Sequence, residues 1–464
     1  MKTSLIFSII LFFISSSHAQ ITFERLYQFG NDHCNGYAVS QNHDNSYIVA
    51  GSMGTNSTLH KILVFKTNEW GDTIWSKTFG DTIYNYYQAE AFSCLITNDS
   101  SILVCGWNYN NVYLLMLDQA GSTIWSKQIG KISDTEIGLS IKPTFEGGFI
   151  IAGLAYSYNG RNDLYLVNTN HNGDTVWTRT FGEVWLSEAG NDVVQTTDSG
   201  FLAVGYSHSD STGFDKVLLV KTDKGGNLQW LKRLGNDSQH NNATFIALTS
   251  DNNCIITGST GDYSSNAVLL LKLDQNGDTI WNKEILPPNS GYAYGNSVNI
   301  LPDNECIITG GGGKGLFLLH TDSTGTLTWS HNFQELWTTG NEVSQTDDNG
   351  YIIVGYCWDP SYFVDRVYLV KTDENGLITG TQYKEEQQYP IVFPNPCHEK
   401  LIILANNDIL GLDVLNSWGQ TVYELSVNHP SNRISIDLSD NIPGLYIIVI
   451  TTKTMKYAKK IVHL

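Results

Sequence analysis

The stretch Leu-Leu-Leu-Lys-Leu-Asp-Gln-Asn-Gly-Asp-Thr-Ile-Trp-Asn-Lys, residues 269–283, recurs in variant form along most of the chain. Its tryptophan is the easiest residue to follow, and it occupies six positions: Trp75, Trp125, Trp177, Trp230, Trp281 and Trp329. Successive copies are 48 to 53 residues apart. A nearly constant period of this length indicates a repeat architecture, in which each repeat is one structural unit.

Each repeat contains four short segments with strand character. In one copy these are residues 192–196, the apolar run 200–205, a second apolar run at 218–223, and the tryptophan segment that follows a glycine-containing turn. Apolar and polar residues alternate in the tryptophan segments, which is typical of strands with one packed face, and no helical period is present. The two apolar runs occur seven times each. The sequence therefore predicts an all-β, seven-bladed β-propeller with four-stranded blades.

A parallel β-helix is the competing fold, since it also has short strands at regular spacing. Its rungs are usually shorter than fifty residues, and the hairpin spacing here favours the propeller. The seventh tryptophan-like segment is Phe23-Glu24-Arg25-Leu26-Tyr27, at the start of the chain. We expect this amino-terminal strand to complete the last blade. The alternative is that residues 377–384 supply the missing strand.

The amino terminus has the pattern of a secretory signal peptide. Lys2 precedes an apolar run at 5–14, and small residues at Ser17 and Ala19 predict cleavage before Gln20. The run is too short for a membrane span, which takes about 20 residues. The predicted organisation is a signal peptide at 1–19, a propeller at 20–384, a polar linker at 385–390 and a further domain at 391–464.

Composition excludes some partners. The formal net charge is −19, and phosphate contacts need clustered Lys and Arg, so nucleic acid is not an expected partner. No later segment is long and apolar enough to span a membrane. The seven cysteines are scattered and do not form a disulfide framework. Cys94 and Cys105 would face each other if the loop between their strands has an even length; otherwise they are two buried thiols.

The last domain has its own landmarks. They are Pro394-Asn395-Pro396, a Gly419-Gln420 turn, Gly444-Leu445-Tyr446, and Lys459-Lys460-Ile461-Val462 near the end. Alternating strands between these motifs predict a small β-sandwich. All four motifs, in this order, resemble the type A sorting domain of the type IX secretion system. The resemblance implies transport across an outer membrane by that machinery, followed by release or attachment to surface lipopolysaccharide.

The repeats themselves resemble those found in tandem in exported proteins of Bacteroidetes. The similarity spans roughly residues 21–384 and includes the Asp-Gly-Gly-Tyr-Ile-like hairpins, the Tyr-Leu-Val-Lys-Thr-Asp segments and the Gly-Asp-Thr-Trp turns. This resemblance implies a propeller and secretion, but no single activity.

No motif for metal or cofactor chemistry stands out. The run 274–278 has some similarity to a calcium loop, but the copies at Ser122 and Thr326 lose its second acid. A hairpin turn with Asp first and Gly at positive φ accounts for all copies. The histidines lack a zinc-protease spacing, and the run 310–315 lacks the end of a phosphate loop. We therefore predict no metal and no cofactor.

Candidate binding residues are those that break the repeat. The recurring tryptophans occupy one strand position, which favours packing between blades over a carbohydrate platform. Acidic and amide residues near the start of the inner strands are expected at one mouth of the central channel: Glu90, Glu136, Asp192, Asn296 and Glu342. Blade-specific aromatic residues in nearby loops are the second set: Trp107, Tyr109, Trp185, Tyr292, Tyr294, Trp337 and Trp358.

These features favour a non-catalytic binding or adhesion module at the cell surface, with a glycan or surface protein as ligand. The alternative is a secreted hydrolase or lyase that acts on polysaccharide through acids at the mouth. Such a pair needs carboxyl groups about 5–5.5 Å apart for retention, or about 6.5–9.5 Å for inversion. A third possibility is a purely structural surface-layer protein.

Overall fold

The structure is a computed structural model of the 464-residue chain. It describes residues 20–463 except 31, 56–58, 81–86, 131–134, 157–159, 210, 263–264, 334–336, 361–363, 380–389, 394–396, 398–399 and 453–455. The predicted signal peptide, most of the predicted linker and the Pro394-Asn395-Pro396 motif lie outside the described residues. Contacts divide the chain into two units, residues 1–382 and 383–464.

The first unit is a seven-bladed propeller whose described strands form four-stranded antiparallel blades. Blade one contains β2 (His33–Gln41), β3 (Tyr47–Thr55), β4 (Leu59–Thr67) and β5 (Thr73–Phe79). Blade two contains β6 (Tyr87–Ile96), β7 (Ile102–Asn108), β8 (Asn111–Leu117) and β9 (Thr123–Ile129). Blade three contains β10 (Glu136–Pro143), β11 (Phe149–Tyr156), β12 (Asn162–Thr169) and β13 (Thr175–Phe181).

Blade four contains β14 (Leu186–Gln195), β15 (Phe201–Ser209), β16 (Asp215–Thr222) and β17 (Leu228–Leu234). Blade five contains β18 (His240–Leu248), β19 (Cys254–Gly261), β20 (Ala267–Leu273) and β21 (Thr279–Ile285). Blade six contains β22 (Ala293–Ile300), β23 (Cys306–Gly312), β24 (Leu316–Thr321) and β25 (Leu327–Phe333), with a 3₁₀ turn at Pro302–Asn304.

Blade seven contains β26 (Thr338–Gln345), β27 (Tyr351–Asp359), β28 (Val364–Thr372) and the amino-terminal strand β1 (Phe23–Tyr27). β1 pairs antiparallel with β28, with Phe23 opposite Lys371 and Tyr27 opposite Val367. The predicted closure by the amino-terminal strand is confirmed. Of the alternative segment, residues 377–384, the structure describes only 377–379, which are not in a strand; β1 occupies the outer edge of β28.

The first strand of each blade is the inner one. β2, β6, β10, β14, β18, β22 and β26 contact one another in sequence and close into a ring. All seven begin at the same end of the propeller, which we call the loop face because the connections between blades lie there. The opposite end is the turn face, where every connection within a blade is a short turn.

The recurring aromatic residue of each fourth strand packs on the next blade. Every third-to-fourth strand turn contains a glycine with φ between +73° and +80°. A Cβ atom at Gly277 would lie 2.6 Å from Cη2 of Trp230, and one at Gly71 would lie 2.9 Å from Cε2 of Phe23. The same contact joins Trp75 to Gly121, Trp125 to Gly173, Trp177 to Gly226, Trp281 to Gly325 and Trp329 to Gly376. These rings therefore join blades, as their repeated position predicts.

Cys94 and Cys105 are both buried free thiols. Five residues separate β6 from β7, and Ile96 pairs with Ile102, so Cys94 lies opposite Val104 and Cys105 lies opposite Ser93. The odd loop places the two sulfurs on opposite faces of blade two. A disulfide between them is therefore excluded by the register.

The second unit is a small sheet-based domain of β29 (Ile391–Phe393), β30 (Lys400–Leu415), β31 (Thr421–Asp437), β32 (Gly444–Thr452) and β33 (Lys456–His463). The register of the β30–β31 hairpin shifts between Leu404 and Ile409. β29 pairs with the part of β30 before this shift, and β32 pairs with β30 from Ile409 onward. Both halves supply side chains to one apolar cluster, for example Leu401 and Val414. This arrangement agrees with the predicted small β-sandwich.

The motif residues of this unit are structural. Gly419 has a φ of +78° in the 416–420 turn, and Gly444 begins β32. Tyr446 is buried, and its hydroxyl donates to the Ile442 carbonyl at 2.5 Å. Lys459 and Lys460 lie on β33, opposite residues of β32.

The contact between ring and glycine predicts a difference between two alanine substitutions. Gly277→Ala introduces both a positive-φ strain and a clash with Trp230. Gly147→Ala has the same strain at a φ of +81°, but no atom lies within 4 Å of its new Cβ. We expect Gly147→Ala to lower the free energy of unfolding by about 1–2 kcal/mol, and Gly277→Ala to cost roughly 1–3 kcal/mol more. Urea unfolding of the two variants measures the difference, and equal midpoints would contradict it.

Candidate functional site

All seven inner strands contain a β-bulge at the same step. The extra residue is Tyr37, Phe92, Leu139, Asn191, Thr244, Asn296 or Asn341 in blades one to seven. A bulge shifts the face on which later side chains lie, and this shift is not visible in the sequence pattern. The bulge residues are apolar or aromatic in blades one to three and polar in blades four to seven.

The polar bulge residues join neighbouring blades. The Asn191 side-chain amide donates to the Ala243 carbonyl at 2.7 Å, and the Asn296 amide donates to the Gly340 carbonyl at 2.9 Å. The Thr244 hydroxyl and the Asn341 amide make the equivalent bonds, both at 2.7 Å. Asn296, one of the predicted mouth residues, therefore has a structural hydrogen bond that its neighbours share.

Asp192 and Glu342 stand one residue after the bulge. Asp192 Oδ2 accepts a hydrogen bond from the Ile246 backbone N–H at 3.0 Å, and the Ser140 hydroxyl donates to its other oxygen at 2.5 Å. Glu342 Oε2 accepts from the Val39 N–H at 2.8 Å. Ser93 and Ser297 stand at the same position in their blades. Their hydroxyl oxygens likewise accept a hydrogen bond from a backbone N–H of the next blade. Both acids thus serve as acceptors across blade junctions.

Lys142 brings a positive charge to these acids. Its Nζ lies 3.7 Å from Asp192 Oδ1 and 4.3 Å from the ring centroid of Phe245, in blade five. Burial raises the pKa of Glu342 to about 7, against the effect of the Lys142 charge and the Val39 hydrogen bond; Asp192 raises it further. Lys142 therefore acts electrostatically on blades four, five and seven from its position in blade three.

Glu90 and Glu136 lie elsewhere. Glu90 stands two residues before its bulge, opposite Trp107, and its Oε1 lies 3.1 Å from His60 Nδ1. Burial raises the pKa of Glu90, and the His60 charge opposes the rise. Glu136 is three residues before its bulge and lines a cleft together with outer strands of blades two and three. The five predicted mouth residues therefore do not form one ring.

A group of aromatic residues lies toward the loop face in adjacent blades. We call Tyr292, Tyr294, Tyr356, Tyr37 and Phe92 the aromatic arc; they belong to blades six, seven, one and two. The Tyr37 and Phe92 ring centroids are 5.3 Å apart, and the Tyr294 hydroxyl lies 3.2 Å from Thr339 Oγ1.

The tyrosines of the arc also share one electrostatic environment. Burial raises the pKa of Tyr294, and Tyr356 and Tyr292 add to that rise against the Thr339 hydrogen bond. Burial likewise raises the pKa of Tyr37, with added effects of Glu90 and Tyr356. The arc therefore brings together two residues predicted from the sequence, Tyr292 and Tyr294, and three that were missed. Tyr37 and Phe92 were missed because the bulge decides where they point.

The other predicted aromatics are spread around the loop face. Tyr109 is partly exposed at a φ of +52°, and Trp185 is 78% exposed, with its carbonyl held by Arg161 at 3.1 Å. Trp337 is 68% exposed, and its carbonyl accepts from the Trp358 N–H at 2.9 Å. The Trp358 ring stacks on His33 at 5.9 Å. Trp107 pairs with Glu90, next to the Phe92 end of the arc.

Two features are absent from the described part of the chain. Its residues include no group of three or more His, Cys, Asp or Glu side chains placed to hold a metal ion. The same residues form no helix long and apolar enough to cross a membrane.

Comparison with known families identifies the family of the second unit. Residues 391–463 match the family described as the secretion system C-terminal sorting domain. This segment is a type IX secretion sorting domain. Such domains mark proteins for export by the type IX machinery, so the protein is an exported propeller found at the cell surface or in the extracellular space. A search of curated proteins found no significant match to the chain.

Solved structures resemble the propeller at low identity. Polysaccharide lyase Uly1 has a TM-score of 0.50 and 10% identity, and covers 73% of this chain and 90% of its own. Staphylococcus aureus virginiamycin B lyase has a TM-score of 0.49, 9% identity and coverages of 75% and 98%. Drosophila Plexin A in complex with Semaphorin 1b has a TM-score of 0.47, 9% identity and coverages of 76% and 87%. At these identities the similarity shows the fold alone.

The position of Glu342 predicts a pH dependence of stability. An unfolded glutamate titrates near about 4.3, whereas the folded pKa is about 7. The folded protein binds more protons between these values, so the free energy of unfolding falls as the pH rises through this window. Glu342→Gln keeps an acceptor for the Val39 N–H and removes the titration. We expect this variant to lose that part of the decrease in the free energy of unfolding, at most about 4 kcal/mol.

Urea unfolding across the window tests this expectation. The exposed Glu284 on the outer strand of blade five is the matched control. Glu284→Gln should keep the wild-type pH profile, and an unchanged profile in Glu342→Gln would contradict the assignment.

Proposed function

We propose that the propeller is a non-catalytic binding or adhesion module that holds a glycan against the aromatic arc at the cell surface. The observation that supports the proposal is the difference between the acidic and the aromatic side chains of the site. The inner acids Asp192 and Glu342 accept hydrogen bonds between blades, whereas the aromatic side chains of the arc, in four adjacent blades, are partly exposed. Aromatic rings with hydroxyl groups suit the apolar faces and hydroxyls of sugars.

The state of the acids argues against general acid and base chemistry. Asp192 is 1% exposed and has hydrogen bonds to both of its oxygens. Glu188 is fully buried and paired with Arg233 at 2.7 Å. Glu90 is paired with His60. These acids therefore have structural partners that a substrate would need to displace.

A polysaccharide hydrolase or lyase is the second candidate function because of the carboxyl group of Glu342. The pKa of Glu342, raised to about 7, is suited to a general acid at neutral pH. Its nearest acidic neighbour in electrostatic terms is Asp192, whose burial limits access. The binding proposal therefore accounts for more of the site.

A glycan and surface-protein array probed with residues 20–464 tests the proposal. Tyr292→Ala removes an arc residue that is 41% exposed, and we expect about tenfold weaker binding of any glycan hit. The matched control is Phe145→Ala, which removes a ring 67% exposed on the turn face and should leave affinity unchanged. If the array shows binding to a surface protein and to no glycan, the ligand is a protein and the glycan proposal is wrong.

Mass spectrometry of each hit separates binding from catalysis. A ligand recovered intact supports the binding module. A cleaved ligand, with turnover lost in Glu342→Gln, would overturn it in favour of the enzyme.

A further inference from the structure

A polar cavity lies on the turn face, where blades four and five meet. It has a volume of about 250 Å³ and is lined by residues 196–198 of blade four and by residues 252–254 and 274–276 of blade five, with Leu202 and Trp230 in its apolar part. Ten of its fourteen lining residues have polar side chains. We call this cavity the junction pocket, and its lining suits a polar ligand better than an apolar one.

The same place between blades one and two is filled by a glutamine. Gln119, in the third-to-fourth strand turn of blade two, accepts hydrogen bonds at its Oε1 from the Asn42 amide and from Lys66 Nζ, the latter at 2.8 Å. Its own amide donates to the Ser100 carbonyl. Two elements of blade one and one hairpin of blade two are thus joined by a single side chain.

The equivalent residue of blade five lines the junction pocket instead of filling it. This residue is Gln275, which stands six residues before Trp281, as Gln119 stands six residues before Trp125. Gln275 is exposed and belongs to the lining. A side chain that closes one junction of the propeller is therefore accessible to a ligand at another.

The sequence of blade four gives the reason for this difference. Lys221, the lysine that corresponds to the one bonded by Gln119, donates to Gln229 Oε1 at 3.1 Å and to Asp198 Oδ2 at 2.8 Å. Blade one has Ile74 in place of Gln229, and an isoleucine has no acceptor. Because Gln229 satisfies the lysine from within blade four, the glutamine of blade five is not needed there.

The charges of the pocket favour a neutral ligand. Lys221 is the one basic residue of the lining. Burial opposes the ionisation of Asp198, but hydrogen bonds from Lys221, Thr196 and the Gly200 N–H lower its pKa to about 2, so the two residues form an ion pair. The second carboxylate, Asp274, accepts from the backbone N–H of its own turn. The net charge of −19 also opposes the approach of an anion.

Side-chain amides give the pocket both donors and acceptors. Asn252, Gln275 and Asn276 each bring one amide to the lining. An amide has two N–H donors and one carbonyl acceptor, which matches neighbouring hydroxyl groups of a sugar. Trp230 adds an aromatic surface, which suits the apolar face of a pyranose ring. The volume is slightly below the range of about 300–1,000 Å³ typical of drug-sized ligands, so a single sugar residue fits best.

We propose that the junction pocket binds one neutral pyranose residue, with the amides of Gln275 and Asn252 on its hydroxyls and Trp230 against its ring. The sugar takes the place that the Gln119 side chain fills between blades one and two. The pocket lies on the turn face, whereas the aromatic arc lies toward the loop face. This site therefore goes beyond the proposed function and does not depend on glycan binding at the arc.

Isothermal titration of residues 20–464 with simple glycosides tests the proposal. The neutral probes are the methyl glycosides of glucose, mannose and galactose, and the anionic comparators are the corresponding methyl uronates. We expect saturable binding of at least one neutral glycoside with a Kd of about 1 mM, and about threefold or more weaker binding of its uronate. Failure of all three neutral glycosides to bind, or tighter binding of a uronate, would overturn the proposal.

Two glutamine variants locate the binding. Gln275→Ala removes a ligand contact and should weaken binding about three- to tenfold, with little change in the thermal midpoint because the side chain is exposed. Gln119→Ala is the matched control at the equivalent position of blade two. It should keep the wild-type affinity and lower the thermal midpoint, because Lys66 and Asn42 lose their shared acceptor. Equal affinities of the two variants would contradict the assignment.

A double variant is designed to close the pocket. Thr196→Asn/Gln229→Ile gives blade four the residues that blade one has at these positions, Asn42 and Ile74. The Gln275 amide then has the partners that Gln119 has, and we expect it to turn into the junction and to weaken glycoside binding about tenfold or more. Thermal unfolding establishes that the variant is folded, and an unchanged affinity in the folded variant would overturn the proposal.

Tyr292→Ala separates this site from the aromatic arc. Glycoside binding that is lost in Tyr292→Ala and kept in Gln275→Ala would assign the sugar to the arc and overturn the proposal for the junction pocket. Loss in Gln275→Ala and not in Tyr292→Ala supports the junction pocket. A failure of glycan binding at the arc and a failure of this site therefore give different results.

Discussion

The architecture depends on the contact between an aromatic ring and a glycine of the following blade. The ring of Trp230 occupies the place where any side chain at residue 277 would begin. The same glycine has a positive φ, so one residue satisfies both the turn and the packing. Because the contact always joins one blade to the next, it needs a closed series, and Phe23 on Gly71 completes it. The amino-terminal strand is thus part of the last blade for a packing reason as well as for its hydrogen bonds.

A second repeated interaction lies on the turn face. A lysine of the third strand pairs with an aspartate of the first hairpin: Lys66 with Asp44, Lys221 with Asp198, Lys272 with Asp251 and Lys371 with Asp348. Burial alone would raise the pKa of Asp198, but hydrogen bonds from Lys221, Thr196 and the Gly200 N–H lower it to about 2. In blade six His320 stands at the lysine position and pairs with Glu305, two residues after the aspartate position, and Met116 takes the lysine position in blade two. The pair is therefore one solution among several, whereas a positive-φ glycine follows the third strand in all seven blades.

The fold was predictable because the same sequence pattern of strands and turns occurs seven times in the chain. Strand number, blade number and closure follow from the period and from Phe23–Tyr27, without knowledge of any single contact. The site was much less predictable, because one inserted residue at each bulge changes the face of the side chains beyond it. Glu136 and Asp192 look alike in the sequence, yet one lies three residues before the bulge and the other one residue after it. The parity of the hairpin loop decided the cysteine pair in the same way: an odd number of residues, five, separates the paired Ile96 and Ile102, and this places Cys94 and Cys105 on opposite faces of the blade.

A repeat protein contains its own comparison series, and this helps to separate structural from functional residues. A polar side chain that makes the same bond in several blades, as Asn191, Asn296 and Asn341 do, is explained by the ring. The buried carboxylate of Glu188 is explained instead by a partner within its own blade. Desolvating a carboxylate is costly unless a cation or several donors compensate. Glu188 has that compensation within its own blade.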